Sequence, residues 1–158
     1  MGKIINIKKA VEQSSKLRNQ RKTIVLVGGV FDIIHIGHIK FLEKAKKQGD
    51  FLFVLLESDE SVKKLKGLTR PLNNQEDRAE VLEAIRYVDY VIKLKGTLKN
   101  VDYDKIVKKI GPNVLATTKE DSYIFHKIRQ AKLVNAKVKI VLPRLKHIST
   151  SKILEEYE

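Results

Sequence analysis

Short apolar runs alternate along this chain with segments whose apolar residues recur at helical spacing, and this alternation constrains the fold most strongly. It is typical of successive βαβ units, in which parallel strands are joined by helices that cover both faces of the sheet. Near-continuous Val, Ile, Leu and Phe content suits strands that are buried on both sides. The pattern predicts five strands: Thr23–Val27, Phe51–Glu57, Tyr87–Leu94, Asn113–Thr117 and Lys137–Leu142.

Helical spacing marks the segments between these runs. Asn73, followed three residues later by Glu76, has the pattern of a helix cap with its reciprocal partner. Residues 1–22 are predicted to form an N-terminal region with a basic helix over 4–20, ahead of a single domain over 23–158. Further helices are predicted at Ile39–Lys47, Gln75–Ile85, Tyr103–Ile110 and Ile124–Leu133.

Five strands with intervening helices predict a Rossmann-like, doubly wound parallel sheet in a three-layer α/β/α domain. Ligands of such sheets bind beyond the carboxyl ends of the strands, where the strand order reverses. The first predicted strand ends at Val27. The residues directly after it are therefore the first candidates for a binding site.

Charge and composition narrow the classes of function. The 158 residues include 32 Lys and Arg against 19 Asp and Glu, a net charge of +13, which indicates nucleic acid or phosphorylated small molecules as partners. The absence of Cys excludes thiolate nucleophiles, disulfides and Cys-based zinc sites. No apolar run approaches the roughly 18 residues of a membrane span, and the N-terminus lacks a signal-peptide pattern. We expect a cytoplasmic protein without a membrane partner.

The segment after the first strand combines features that suit a phosphate. Gly28 and Gly29 let a ligand approach the backbone closely, and a helix that opens nearby offers free amides and a positive dipole end. His35 and His38 lie three residues apart, so their side chains share a face as that helix begins. Gly37 between them leaves room for an incoming phosphate. Two imidazoles placed there can donate hydrogen bonds as negative charge builds up in a displacement at phosphorus.

Other interpretations of this segment stay open at this point. The two histidines could hold a metal ion if a third ligand were present, and Asp32 is the nearest candidate. They could also be surface residues at a helix start, and the two glycines could form an ordinary turn. One strand end carries the two glycines, the aspartate and the two spaced histidines together. This combination is less expected by chance than any one of these features alone.

The sequence Val30-Phe31-Asp32, followed by His35-Ile36-Gly37-His38, resembles the signature of the cytidylyltransferase-like nucleotidyltransferases. Members of that family transfer a nucleoside monophosphate from CTP or ATP to a phosphorylated acceptor and release pyrophosphate with the help of magnesium. The resemblance implies that both histidines contact the nucleotide phosphates and that no covalent intermediate forms. It also assigns a set of nucleotide-binding residues: Gly28, Gly29, Val30, Phe31, Asp32 and Gly37.

The resemblance extends over about residues 22–154. The stretch 61–78 is similar to heptose 1-phosphate adenylyltransferases, and the stretch 143–153 is similar to glycerol 3-phosphate cytidylyltransferase. These likenesses imply Lys66 and Arg78 as further catalytic residues beside the two histidines. They also imply acceptor or phosphate ligands at Lys63, Arg70 and Arg86, and further nucleotide ligands at Arg144, Ile148, Ser149 and Thr150.

Each of these residues has a simpler interpretation. The lysines of a loop after the second strand could face water, and Arg78 could pair with a carboxylate on its own helix. The hydroxyls at 149–151 could be plain helix caps. The ligands of the magnesium ion are not identified by the sequence.

Residues 116–121 depart from the glycine-rich acidic stretch usual in the family, which leaves the base and the acceptor open. The leading hypothesis is transfer of AMP from ATP to a sugar phosphate of the heptose type. CTP with glycerol 3-phosphate and FAD synthesis from FMN are the alternatives.

A non-catalytic nucleic-acid-binding module is the hypothesis from another class. The positive charge supports it, but the five Tyr and five Phe form no spaced stacking platform, so a nucleic acid partner is not expected. A homodimer is expected from the resemblance alone.

Overall fold

Strands and helices alternate in the computed structural model, which describes residues 3–142 and 150–155. No helix in that part of the chain is long and apolar enough to cross a membrane. The strands are β1 (Ile4–Ile5), β2 (Ile24–Gly29), β3 (Phe51–Leu56), β4 (Tyr90–Lys93), β5 (Val114–Thr118) and β6 (Lys137–Leu142). The helices are α1 (Ile7–Asn19), α2 (Ile36–Lys46), α3 (Asp59–Lys66), α4 (Gln75–Glu83), α5 (Asn100–Ile110), α6 (Ile124–Val134) and α7 (Thr150–Glu155).

The strands form one parallel sheet in the order β1-β4-β3-β2-β5-β6. The predicted Rossmann-like α/β fold is confirmed, but the prediction of five strands is wrong, because β1 adds a sixth beside β4. A strand of two residues is too short to show a period of its own. Asn6 separates it from the basic helix by capping α1, and its side-chain oxygen accepts a hydrogen bond from the Lys9 N–H at 2.9 Å.

Helix α3 is not predicted by helical spacing, because its eight residues carry only two apolar side chains. Its capping signal is stronger than its periodicity. The Ser58 hydroxyl accepts a hydrogen bond from the Ser61 N–H at 3.0 Å, and Asp59 lies in the first turn, where the helix dipole favours an acid. Lys63 and Lys66 therefore lie on a helix rather than in a loop.

Two apolar layers cover the sheet. Along β2, Val25 and Val27 face the layer formed with α2 and α4, whereas Ile24 and Leu26 face the layer formed with α1, α5 and α6. This alternation follows from the two-residue period of a strand, and it produces the three-layer α/β/α arrangement.

The strand order reverses beside β2. From β2 the chain continues through β3 and β4 in one direction, and then β5 and β6 extend the sheet in the other direction. The ladder between β2 and β5 joins Val25 to Val114 and Leu26 to Leu115, and goes no further. The carboxyl ends of the two strands therefore border a crevice at the topological switch point, where sheets of this kind bind ligands.

Candidate active site

Two cavities open at this crevice. One of about 400 Å³ has a polar lining that includes His35 and His38, and one of about 380 Å³ on the other side of β2 has a mostly apolar lining. We call them the histidine cavity and the apolar cavity. Their volumes suit small organic ligands. Four residues line both cavities: Gly28, Gly29, Val30 and Lys127.

The two histidines of the histidine cavity hold each other in place at the start of α2. His35 is the N-cap residue, and its Nδ1 accepts a hydrogen bond from the Gly37 N–H at 3.1 Å. The Nδ1 atom of His38 accepts from the His35 N–H at 3.3 Å, and the ring centroids lie 4.0 Å apart. This network assigns the proton of each neutral ring to Nε2. Each ring can therefore donate that N–H to a ligand oxygen.

Burial keeps both rings neutral. It lowers the pKa of His35 below its usual range. The pKa of His38 falls to about 4, mainly through burial, then because protonation of both neighbouring rings at once is disfavoured, and then through the charge of Lys66. At neutral pH the cavity therefore presents two uncharged N–H donors, and Lys66 and Lys127 on its lining supply positive charge.

Phe31 packs its ring against the ring of His38. It is buried, its backbone has a φ of +50°, and its ring centroid lies 5.3 Å from that of His38. A Cβ atom added to Gly29 would come within 2.8 Å of the Phe31 ring, whereas one added to Gly28 would meet only atoms 3.8 Å away. Position 29 therefore requires glycine for packing. At position 28 the missing side chain leaves free space that a ligand of either cavity can occupy.

Asp32 turns away from the cavities and holds the segment 70–73. Its carboxylate accepts hydrogen bonds from Arg70 Nε at 3.1 Å, from the Leu72 N–H at 2.9 Å and from the Asn73 N–H at 3.0 Å. Burial alone would raise the pKa of Asp32, but these hydrogen bonds hold it below its usual value. Within residues 3–142 and 150–155, no cluster of three His, Asp or Glu could hold a metal ion.

Arg78 is a buried connection between segments. Its side chain donates to the Val30 carbonyl at 2.7 Å, to the Asn73 carbonyl at 3.0 Å and to Asp59 Oδ1 at 2.7 Å. All three nitrogens of the guanidinium are thus engaged within the protein, and Arg78 lines neither cavity. The guanidinium ties the segment before the histidines to the first turn of α3.

The remaining predicted residues are distributed unevenly. Lys66 lines the histidine cavity, whereas Lys63 is exposed and lines neither. Arg70 is buried against Asp32. Arg86 precedes β4 at the amino end of the sheet, opposite the cavities, and bonds the Tyr87 hydroxyl at 2.8 Å. Arg144, Ile148 and Ser149 lie outside the described residues, as does the side chain of Thr150; Ser151 lines the histidine cavity.

The apolar cavity brings in residues that the motifs do not reveal. Leu55, Leu98 and Leu115 form much of its wall, and the Tyr103 hydroxyl at its edge donates to Glu57, 2.8 Å from Oε1 and 2.9 Å from Oε2. Burial and the Glu57 charge raise the pKa of Tyr103. Apart from Leu115, which lies near the start of β5, these residues lie at or beyond the carboxyl ends of β3 and β4. For them the rule of the topological switch point is the signal that could have found them.

Comparison with known proteins gives consistent matches. The profile described as cytidylyltransferase-like matches residues 26–156. The chain is 44% identical over 142 residues to the FAD synthase of Pyrococcus horikoshii, which covers 87% of this chain and 93% of that protein. It is 47% identical over 102 residues to the bifunctional protein HldE of Aliarcobacter butzleri, covering 65% of this chain but only 21% of that longer protein.

Solved structures agree on the fold. The lipopolysaccharide core biosynthesis protein of Thermoplasma volcanium is 28% identical, with a TM-score of 0.61 over 78% of this chain and 97% of that one. The pantoate-beta-alanine ligase of Francisella tularensis is 17% identical, with a TM-score of 0.68 over 96% of this chain and 75% of that one. At 17% identity, the similarity to the ligase shows only that the two proteins share a fold.

Proposed function

This chain belongs to the cytidylyltransferase-like family of nucleotidyltransferases, and we propose that it transfers AMP from ATP to the phosphate of FMN. The observation that carries the proposal is the mostly apolar cavity that adjoins the histidine cavity through Gly28, Gly29 and Val30. A donor in one cavity and an acceptor in the other would meet at this shared wall.

The histidine cavity suits the triphosphate of the donor. It offers the Nε2–H groups of His35 and His38, the positive charge of Lys66 and the N-terminus of α2. These are donors and a cation in a partly enclosed site, where their interactions with phosphate are stronger than in water. Charge on the α-phosphate and on departing pyrophosphate would be stabilised by groups already in position.

The apolar cavity suits an acceptor with flat apolar faces. Leu98, Tyr103 and Leu115 present apolar surface, and polar groups such as Gln130 lie among them. Ligand sites of this composition bind rings by burying their faces and orient them by a few polar contacts at their edges. An isoalloxazine ring has that character. The similarity to the Pyrococcus FAD synthases over nearly their whole length supports the same acceptor.

The proposed step needs no protein nucleophile. An oxygen of the acceptor phosphate attacks the α-phosphorus, the bond to the bridging oxygen breaks, and pyrophosphate departs with the electron pair. The contribution of the protein is to position the two phosphates and to stabilise charge through His35, His38 and Lys66.

Magnesium would enter with the nucleotide. The acidic residues that line the histidine cavity are Glu120 and Asp121, and Asp121 is already bonded to Thr117 and Lys127. The described residues therefore do not form a protein cage for Mg²⁺, which commonly binds through one or two carboxylates together with substrate phosphates. Phosphate-bound Mg²⁺ would neutralise charge, and no step above is assigned to it.

The direct test is an acceptor panel. The purified chain is incubated with Mg²⁺ and either ATP or CTP, together with FMN, heptose 1-phosphate or glycerol 3-phosphate, and pyrophosphate and products are measured. We expect FAD from ATP and FMN. Turnover with heptose 1-phosphate but not with FMN would contradict the flavin assignment while leaving the nucleotidyltransferase intact.

A pair of variants tests the cavity itself. Leu98→Arg should raise the KM for FMN at least about tenfold and leave ATP binding unchanged, because Leu98 lines only the apolar cavity. Val101→Arg is the matched control, since Val101 is exposed near the start of α5 and lines neither cavity. Equal effects of the two variants would contradict the assignment of the acceptor to this cavity.

A further inference from the structure

One side chain stands at the boundary between the two cavities. The residues common to both linings are Gly28, Gly29, Val30 and Lys127, and the first three belong to the end of β2 and the residue after it. Lys127 comes from α6, on the opposite side of the crevice. Among the described residues, it is thus the only charged side chain that faces both cavities.

Lys127 is held at that boundary by two partners. Its ammonium group pairs with Asp121 and donates a hydrogen bond to Thr117 Oγ1 at 3.3 Å. The Thr117 hydroxyl in turn donates to Asp121. The side chain of Lys127 is 26% exposed and that of Asp121 is 10% exposed. The two partners therefore orient the ammonium group, and its exposed side can still contact a ligand.

Asp121 remains a carboxylate in this arrangement. Burial alone would raise its pKa, but hydrogen bonds from Lys127, from the Thr117 hydroxyl and from the Tyr123 N–H outweigh burial and hold the pKa below its usual value. An ionised Asp121 orients the Lys127 ammonium group through their ion pair. Two members of this cluster, Thr117 and Asp121, belong to residues 116–121, which depart from the family pattern.

The position of Lys127 matches a specific electrostatic need. If the donor occupies one cavity and the acceptor the other, two phosphates must approach each other at the shared wall. Two anions at bonding distance repel strongly in a partly enclosed site. A cation between them offsets part of that repulsion. It acts most strongly as the two phosphates come together, which is the condition for lowering the barrier rather than only improving binding.

We propose that the Lys127 ammonium group contacts the phosphates of both substrates and stabilises the charge between them as the new bond forms, which makes Lys127 a catalytic residue. The inference rests on the proposed function, because it requires a donor and an acceptor phosphate on the two sides of the wall. The acceptor oxygen bonds to the α-phosphorus, the bond to the pyrophosphate oxygen breaks, and Lys127 keeps its proton throughout. Asp121 is the positioning residue that holds the ammonium group there.

The first measurement uses Lys127→Met, which keeps the length and apolar stem of the side chain. We expect kcat for FAD formation to fall about 100-fold, the size of effect seen when one preorganised donor to a transition-state anion is removed. The KM values for ATP and FMN should change far less. Lys132→Met is the matched control, since Lys132 is exposed further along α6 and lines neither cavity.

The absence of cysteine from this chain permits a sharper test. Lys127→Cys introduces a unique thiol, which bromoethylamine converts into a side chain that carries an ammonium group at nearly the length of lysine. We expect alkylation, verified by mass spectrometry, to restore most of the lost kcat. Lys132→Cys receives the same treatment as the control and should show the same activity before and after it.

Each outcome decides the proposal. Wild-type kcat in Lys127→Met overturns it, and so does a loss that alkylation of Lys127→Cys fails to reverse, because the restored ammonium group would then not be what the reaction needs at this position. If the wild-type chain forms no product with any acceptor, the proposed function fails separately. In that case the alkylating group is labelled with ¹³C, and its resonance is followed as ATP or FMN is added. Movement with both ligands supports the contact, and no movement overturns it.

Discussion

The backbone N–H of His35 donates a hydrogen bond to Nδ1 of His38 at 3.3 Å, and this bond fixes the ring proton of His38 on the opposite nitrogen. The donor that a ligand meets is therefore set by the backbone at the start of α2 rather than by the pH of the solution. Both rings act as neutral donors because burial suppresses their protonation.

Replacing His38 by Ala should lower kcat at least about 100-fold, because one preorganised donor to the nucleotide phosphates disappears. The fold should persist, since His38 is one partly buried residue at the beginning of a helix. Pyrophosphate release measures the activity, and circular dichroism checks the fold. Lys40→Ala, on the exposed side of the same helix, serves as the control, and a His38→Ala enzyme as active as that control would refute the role of His38.

The low pKa of His38 makes the stability of the protein depend on pH. The folded state binds the proton with a pKa of about 4, against 6.5 for an ordinary histidine, so the unfolded chain holds more protons between those values. This contribution to the free energy of unfolding is complete above pH 6.5 and is lost as the pH falls towards 4. It amounts to about 3 kcal/mol at about 1.4 kcal/mol per pKa unit.

Urea unfolding at pH 7.5 and at pH 4.5 measures that loss, with His38→Gln as the comparison. The variant removes the titrating ring, so its unfolding free energy should fall less between the two pH values. Identical pH dependence in both proteins would show that His38 titrates normally. Histidine ring NMR gives an independent value for the pKa.

Arg78→Lys should destabilise the fold by at least about 2 kcal/mol. A lysine cannot reach all three partners of the guanidinium, and buried acceptors without donors cost roughly 1–3 kcal/mol each. Arg86→Lys, at an exposed site, should change stability by less than about 0.5 kcal/mol. If Arg78 instead gripped a phosphate, its lysine variant would keep the wild-type melting temperature and lose affinity for ATP.

Gly29→Ala should lower the stability of the fold, whereas Gly28→Ala should weaken substrate binding. The new methyl group at position 29 would lie 2.8 Å from the Phe31 ring, which must move and take its contact with His38 along, at about 1–3 kcal/mol of stability. At position 28 the methyl group has room in the fold but enters the space shared by the cavities. We expect a lower melting temperature for the first and a higher KM with unchanged melting for the second.

Much of the fold could be predicted from the sequence because buried parallel strands and amphipathic helices each have a clear period. The exceptions are short. β1 has two residues, and α3 has a capping serine but little apolar periodicity, so neither shows a repeat. Their formation depends on partners far along the chain, such as β4 for β1 and Arg78 for the first turn of α3.

The histidine cavity could be predicted because its main side chains are adjacent in sequence and follow one strand. The partners of Arg78 could not be predicted, because an arginine in a helix gives the same sequence pattern whether it binds a phosphate or the carbonyl oxygens of the protein. The sequence does not reveal Lys127 and Tyr103 as site residues, because the helices that carry them, α6 and α5, meet the glycines of β2 only in the assembled fold. Spacing along the chain carries no information about such contacts.

The division of the crevice into two cavities has a consequence for how such enzymes diversify. The residues proposed to stabilise the donor phosphates lie after β2 and on α2 and α3, whereas the proposed acceptor wall comes largely from α5, α6 and the segment 97–100, and Lys127 on α6 faces both. Changes in the acceptor wall that spare Lys127 need not disturb the donor site. A lineage can thus inherit its transfer chemistry intact while it exchanges one acceptor for another.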